Sequence, residues 1–495
     1  MIAKEALASL FFILPKACSY FKVRFRFNRF PLEKENMKFK SFLFPVGFLI
    51  CFGVSGWAQT TGNFPSVVNV KKFGASGSAV RTTGAIKSGS PTLTVASAAS
   101  FAVNQGVFVE GAGKQGSGDD LVARITAING TTLTLNAAAT ATVSAANVQH
   151  DDTDAINAAT ASLFANGGGG GTVDIPAGFY RVNKGFDQTR TDARPAIGIY
   201  PVDPGHPVNA ILFCPYFNET NSLKYWRLRG EFRTGTIWNA KATEGTIIST
   251  DLNGVDNYNL GQLQPSLIST RGLVGTSPYE PGFNHVNLVV ERMHLRVPDN
   301  PTITAVNGAN AINMTVEDVS VETASHPNNL RVPPTNPSVG IYCPKVSNAA
   351  RVRLKDVNII GVNTAIKFSE HVVFDDVFIY RVLVALHVEA GGYPNTGKIS
   401  IEHCKQYMVW VGPSPVNLEL SIERAQPGHW WSQDDGTKDL SAPDSRFPHG
   451  IIRYIISHQG GGDPYSASSI MTVQNVLPQY LQLQNIFLPT QPQKY

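Results

Sequence analysis

The feature that most limits what this chain can fold into is a repeat in its second half. Five segments share one pattern: a strand, a polar two-residue turn and a second strand. They are VNLVVERMHLRV (286–297), INMTVEDVSVET (312–323), VRLKDVNIIG (352–361), VVFDDVFIYR (372–381) and ISIEHCKQYM (399–408). Anchored on the first turn residue, they align Glu291, Glu317, Lys355, Asp375 and Glu402, with steps of 26, 38, 20 and 27 residues. Periods of about 20–50 residues mark a solenoid, whose units bury their apolar faces against one another. The longest step carries a Pro/Asn-rich loop at 324–338, an insertion between units. The pair Asp375-Asp376 is similar to the paired carboxylates of glycoside hydrolysis. The same position is polar in every unit, so these residues read as a solvated turn.

A third strand aligns in each unit: PTITAV (301–306), VGIYCP (339–344), TAIKFS (364–369), VALHVE (384–389) and YMVWVG (407–412). Side chains alternate across a strand. Ile303, Ile341, Ile366, Leu386 and Val409 are therefore expected inside. Thr304, Tyr342, Lys367, His387 and Trp410 are expected outside, as a column with about 5 Å between rows. Ser369 and Glu389, two residues on, share the outward direction. The second strand gives another column: His294, Ser320, Asn358, Phe378 and Lys405, with Arg296, Glu322 and Tyr380 nearby.

The first half is punctuated differently. VVNVKKFGASG (67–77) reads as a short strand entering a glycine turn. HDDTDAINAATASLFA (150–165) reads as a helix. Asp151, Asp152 and Thr153 offer N-caps, and Ala155, Ile156, Ala159 and Leu163 form its apolar stripe. The glycines 167–171 end it, and GTVDIPAGFYRV (171–182) reads as strand, turn, strand. In this order the three motifs resemble the N-terminal signature of the pectate-lyase superfamily, over about the first third of the mature chain. That group includes polygalacturonase-related proteins, tailspike-like depolymerases and mannuronan epimerases. The resemblance implies an all-β fold, a right-handed parallel β-helix whose first coil follows a capping helix.

One departure from that pattern is plain. Residues 78–149 intervene between the glycine turn and the helix. Asn129-Gly130 and Gly111 mark hairpins there, which predicts a small inserted β subdomain. The expected organisation is a solenoid from 59–77 and 150–412, the insertion at 78–149, and last coils with a cap at 413–495. The last segment holds a polar loop with Trp430 and Trp431, then strands at 451–457 and 469–476.

The outward column suggests chemistry. Uronic-acid polymers are cleaved by β-elimination: a base takes the proton α to the carboxyl, an acid protonates the leaving oxygen, and a cation steadies the anion between. Lys367, His387, Tyr342 and Glu389 supply such groups. Trp410, His294, Arg296, Arg353, Trp430 and Trp431 are the candidate sugar-binding residues. The lyases that the chain resembles often use a Lys or Arg base, with Lys367 the match, and frequently calcium; the sequence fixes neither a cofactor nor a ligand set. The polygalacturonase pattern is absent beyond Asp375-Asp376, and Gly428-His429-Trp430-Trp431 is not Gly-His-Gly. A hydrolase using Glu389 with Glu370 and a non-catalytic carbohydrate-binding solenoid stay open as alternatives.

The formal charge of +4 does not bear on the partner. Residues 37–58 read as a signal peptide beginning at Met37 and cleaved near Ala58: a basic start, an apolar run broken by Pro45, Gly47 and Gly53, and small residues at its end. Residues 1–36 read as upstream of the true start. Residues 1–58 hold nine of the 41 Lys/Arg and three of the 37 Asp/Glu, which leaves 32 basic and 34 acidic residues, a net of −2. A secreted or periplasmic protein is expected, with a polysaccharide partner, no nucleic acid and no stable membrane anchor, as a monomer or homotrimer. Cys214, Cys343 and Cys404 would remain, too widely spaced for a zinc motif and odd in number. They read as small buried apolar residues.

Overall fold

The computed structural model describes residues 66–113, 120–165, 168–184, 210–214, 224–233, 244–252, 266–270, 286–299, 301–308, 311–324, 337–343, 351–389, 395–402, 404, 406–410, 416–423, 431–432, 450–458, 481–483 and 486–487. Residues 1–58, Lys405, Trp430 and the strand expected at 469–476 lie outside them. Among the described residues the chain is β-structure with one α-helix, and no helix is long and apolar enough to cross a membrane.

Two large parallel sheets dominate. The first runs in the order Ser66–Asn69, Gly170–Ile175, Lys224–Gly230, Val286–Val297, Ala311–Thr323, Arg351–Ile360, Val372–Tyr380, Asn395–Glu402, Val416–Glu423, Gly450–His458 and Leu481–Leu483. The second runs Ala210–Phe213, Ser266–Ser269, Thr304–Asn307, Val339–Tyr342, Thr364–Phe368, Val384–Val388, Gln406–Trp410 and Trp431–Ser432. From residue 286 the chain visits the two sheets alternately through Trp431–Ser432. The first sheet continues beyond residue 412, where the sequence pattern fades.

Register explains why the repeats hold together. Like side chains stack row upon row: Met293, Val319, Val357, Val377, Ile399 and Leu420 in the first sheet, and Leu212, Ile268, Val306, Ile341, Ile366, Leu386 and Met408 in the second. All are buried in one continuous apolar core. An inward residue of these rows is thus covered by its own kind from the neighbouring units.

The two-residue turns are sharper than the sequence suggests. Glu291, Glu317, Lys355 and Asp375 are in register, but the next residue is skipped by the ladder. That residue is Arg292, Asp318, Asp356 or Asp376, with φ of 60°, 55°, 49° and 59°. A single left-handed residue bends the strand into two arms without ending it. Asp and Gly tolerate this conformation because a short polar side chain, or none, avoids the Cβ clash. A second corner falls at Gly361 and Arg381, with φ of 77° and 50°.

The fifth repeat departs from the expected alignment. Phe374 pairs with Gly397 and Val377 with Ile399, so Lys398 alone faces both Asp375 and Asp376. At this bend Gly397, with φ of 137°, replaces the left-handed corner residue of the other units, and the ladder is bulged. Glu402 therefore pairs with Tyr380, not with Asp375, and Ser400, not Lys405, follows Phe378.

The strands between 81 and 151 close into an antiparallel barrel in the order Arg81–Ile86, Thr92–Val95, Thr132–Leu135, Leu121–Asn129, Gly106–Val109 and Val143–Asp151. It has its own apolar core, including Leu93, Val107, Ile125 and Leu133. Gly130, with φ of 59°, makes the turn expected at Asn129-Gly130.

At the barrel's neck the N-terminal motifs meet. The helix Thr153–Phe164 buries Ala155, Ile156, Ala159 and Leu163 as its pattern requires. Asp152 occupies the N-cap position without capping the helix through its side chain. Its carboxylate instead accepts hydrogen bonds from the backbone N–H groups of Ser76 and Gly77. Asp151 accepts from the backbone of Thr153 at 3.0 Å and of Asn183 at 2.7 Å. The acids that looked like helix caps tie together the glycine turn, the helix start and the end of Gly178–Arg181.

Two substitutions test this account. Ile366→Ala should cost about 2–5 kcal/mol in denaturant unfolding, because both neighbouring rows are fixed and the hole cannot collapse. Asp376 is exposed, so its variants report the corner itself: Asp376→Val should destabilise by about 1–2 kcal/mol, while Asp376→Gly is neutral or stabilising.

Candidate functional site

The second sheet brings three of the four candidate catalytic residues into contact. Register pairs Tyr342 with Lys367 and Lys367 with His387 on successive strands. Lys367 Nζ lies 3.0 Å from Glu389 Oε1. The Tyr342 hydroxyl donates to Glu389 Oε2 at 3.4 Å, and Lys367 Nζ lies 5.6 Å from the centre of the Tyr342 ring. The Lys367 and Glu389 side chains are 33% and 23% exposed, which leaves the pair open to solvent on one side. His387, half-buried, stands on the next row. The alternation of TAIKFS and VALHVE, with Ile366 and Leu386 fully buried, turns these polar groups outward.

Both ends of the expected column are corrected. Asn307, not Thr304, is in register with Tyr342, and Thr304 pairs with Val339. All four residues of Thr304–Asn307 are buried, so apolar alternation could not set that register. At the other end Val409, not Trp410, stands beside His387, and Trp410 pairs with Val388. The true column runs Phe213, Ser269, Asn307, Tyr342, Lys367, His387 and Val409. Ser369 is fully buried rather than open. Glu370 is also buried, unlike Glu389.

The second column is closed at its start, while Asn358 and Phe378 further along are half-buried. His294 and Ser320 are buried neighbours, and His294 Nδ1 lies 2.9 Å from Glu322 Oε1. Arg296 stands in register between Ser249 and Glu322. Arg353 is not at this column; it forms an exposed pair with Asp375 at 2.9 Å. Together with Arg227–Glu291 and Lys355–Glu317, both at 2.5 Å, it links turn charges of neighbouring strands. Arg353–Asp375 and Lys355–Glu317 have exposed side chains and contribute little each, whereas Glu291 is buried. Of Trp431, the structure places only the backbone, in the strand Trp431–Ser432.

One functional-looking residue was missed. Arg233 reaches both Asp318 and Asp356 at 2.7 Å, and also lies near Ser320. Burial raises the Asp318 carboxyl above its ordinary range, with the Arg233 guanidinium opposing that. The signal was absent because Arg233 lies outside the repeats and its partners are more than 80 residues away. Among the described residues no group of three or more His, Cys, Asp or Glu is arranged to hold a metal ion. Cys214, Cys343 and Cys404 are free and buried, as expected, and burial pushes their thiols up.

Glu389→Gln should leave unfolding stability within about 1 kcal/mol of wild type, since a partly exposed ion pair is worth no more. A larger loss on chemical denaturation would show that the cluster is a structural brace instead.

No protein-family model and no curated protein matches the chain. Among solved structures it is similar to ORF18 of Geobacillus virus E2, with 13% identity over 63% of this chain and a TM-score of 0.22; the chain spans 59% of that protein's length. It is also similar to the Agl-KA catalytic domain, with 11% identity, a TM-score of 0.21, and coverage of 82% of this chain and 87% of that one. Likenesses at these scores say nothing of chemistry.

Proposed function

We propose that the chain is a secreted, carbohydrate-active enzyme on a right-handed parallel β-helix, similar to the pectate-lyase superfamily. Its substrate is a uronic-acid-containing polysaccharide, cleaved by β-elimination at Tyr342, Lys367, His387 and Glu389. One observation carries this reading: an amine, a phenol and a carboxylate meet at 3.0–3.4 Å on the outer face of stacked strands, with an imidazole on the next row.

Elimination needs a proton taken from the carbon α to the uronate carboxyl, a double bond formed as the glycosidic C–O bond breaks, and a proton given to the leaving oxygen. The ion pair with Glu389 changes the role first expected of Lys367. A paired ammonium is better suited to neutralise the substrate carboxylate, whose charge spreads as the carbanion forms. His387 and the Tyr342–Glu389 pair then serve as base and acid. Row spacing of about 5 Å matches the scale of one sugar ring. No step is assigned to calcium.

A panel of acidic polysaccharides, with and without calcium, decides the matter. The expected product carries an unsaturated terminal sugar, seen as new absorbance near ~235 nm and a mass consistent with chain cleavage without added water. Lys367→Ala and Tyr342→Phe should each lower kcat/KM by about 10²–10⁴-fold with folding unchanged. New reducing ends without that absorbance would assign a hydrolase. Binding without cleavage across the panel would assign a carbohydrate-binding protein.

A further inference from the structure

Tyr342, Lys367 and His387 hold one register position on three successive strands of the second sheet. Toward the start of the chain, the same position is taken by Asn307, then Ser269, then Phe213. Exposure changes abruptly along this line. The Lys367 and Glu389 side chains are 33% and 23% exposed, and Tyr342 and His387 are half-buried. Asn307 and Ser269 are 2% and 0% exposed. Phe213, a row further, is half-buried again.

The sealed rows are held by their own hydrogen bonds. Asn307 Nδ2 donates to Ser266 Oγ at 3.0 Å, and the Thr270 N–H donates to the Asn307 carbonyl at 3.2 Å. Ser266 and Thr270 are themselves only 0% and 6% exposed. The Gly308 N–H donates to the Tyr342 carbonyl at 3.0 Å, which ties the last sealed row to the first open one. Buried amides and hydroxyls with partners stay in place, because leaving them unpaired is costly. The open rows are built the other way. The connections 361–363, 369–371 and 381–383, around Thr364–Phe368 and before Val384–Val388, have three residues each. Three residues reach at most about 10 Å, too little to turn the corner and also cover the face.

We propose that the site is blind on the Asn307 side, so that it takes the ends of sugar chains rather than their middles. This mode rests on the reading of the site as one that cleaves a polysaccharide. Its polar groups succeed one another row by row, so a sugar chain that meets them in turn lies along the column, at about one ring per 5 Å row. The Tyr342 row alone separates Lys367 from the sealed Asn307 row. A chain can therefore pass Lys367 by one or two sugars before it meets the wall. A polymer held in its middle would have to press hydroxyls against Asn307, whose amide is already engaged. That desolvation and clash is what rejects it. Each event is the elimination described above: the proton leaves the α carbon for the base, the glycosidic C–O bond breaks, and the leaving oxygen takes a proton. No water is consumed, one of the two pieces carries the double bond, and the short piece has one or two sugars.

Digestion by the full chain of the polymer that it cleaves, and of a uniform hexasaccharide of that polymer, tests the blind end. Early in the hexasaccharide reaction, mono- and disaccharides with their penta- and tetrasaccharide counterparts should exceed trisaccharides by at least about tenfold, read by mass. Polymer viscosity should fall only in proportion to the bonds cut. Abundant trisaccharide, or a collapse of viscosity while few bonds are cut, would overturn the blind end and leave elimination standing. Short products without the absorbance near ~235 nm would overturn elimination and keep the chain-end mode. No cleavage anywhere in the panel would overturn both.

Discussion

Every described unit from residue 286 onward depends on burial that no single unit can achieve by itself. One strand of the first sheet and one of the second have apolar faces too small to exclude water. Stacked in register, Val306, Ile341, Ile366, Leu386 and Met408 cover one another completely. Register is thus not a detail of the ladder but the condition for a core. A slip by one residue would place Lys367 among isoleucines and Ile366 in water. The same condition places the Tyr342, Lys367 and His387 rows side by side.

The corners serve that register. A left-handed residue after Glu291, Glu317, Lys355 and Asp375 lets each strand bend without losing count, since its neighbour bends at the same row. Stacking three aspartates at this corner would set like charges a few ångström apart. Arg233 relieves the first of these approaches by binding Asp318 and Asp356 together. Corner shape and corner electrostatics are therefore solved by different residues, one local and one distant.

How much was legible in the sequence follows from how local each signal is. The repeats, the Tyr342–Lys367–His387 column and the helix stripe were readable because alternation and periodicity are local patterns. The strand Thr304–Asn307 was misplaced because all its residues are buried and alternation carries no information there. Glu402 was misassigned because Ile399–Glu402, read as the first arm of the fifth unit, is its second: the bend lies at Lys398, opposite Asp375 and Asp376. Arg233 was unreadable, since its partners meet it only through the fold. The neck acids were legible as a motif but not as a tie; cap-like residues before a helix look alike whether they cap it or bind a distant turn.

The position of the barrel also has a consequence for how the chain assembles. Its outgoing and returning connections meet at one carboxylate, so the 78–149 segment leaves the stack and rejoins it at nearly the same place. For the repeats, the whole insertion amounts to one closed loop, whose entropic toll grows only slowly with length. With its own core and only neighbouring stretches of chain to bring together, the barrel can form early and by itself. The stack must instead grow row by row, each new unit templated on the exposed edge of the last.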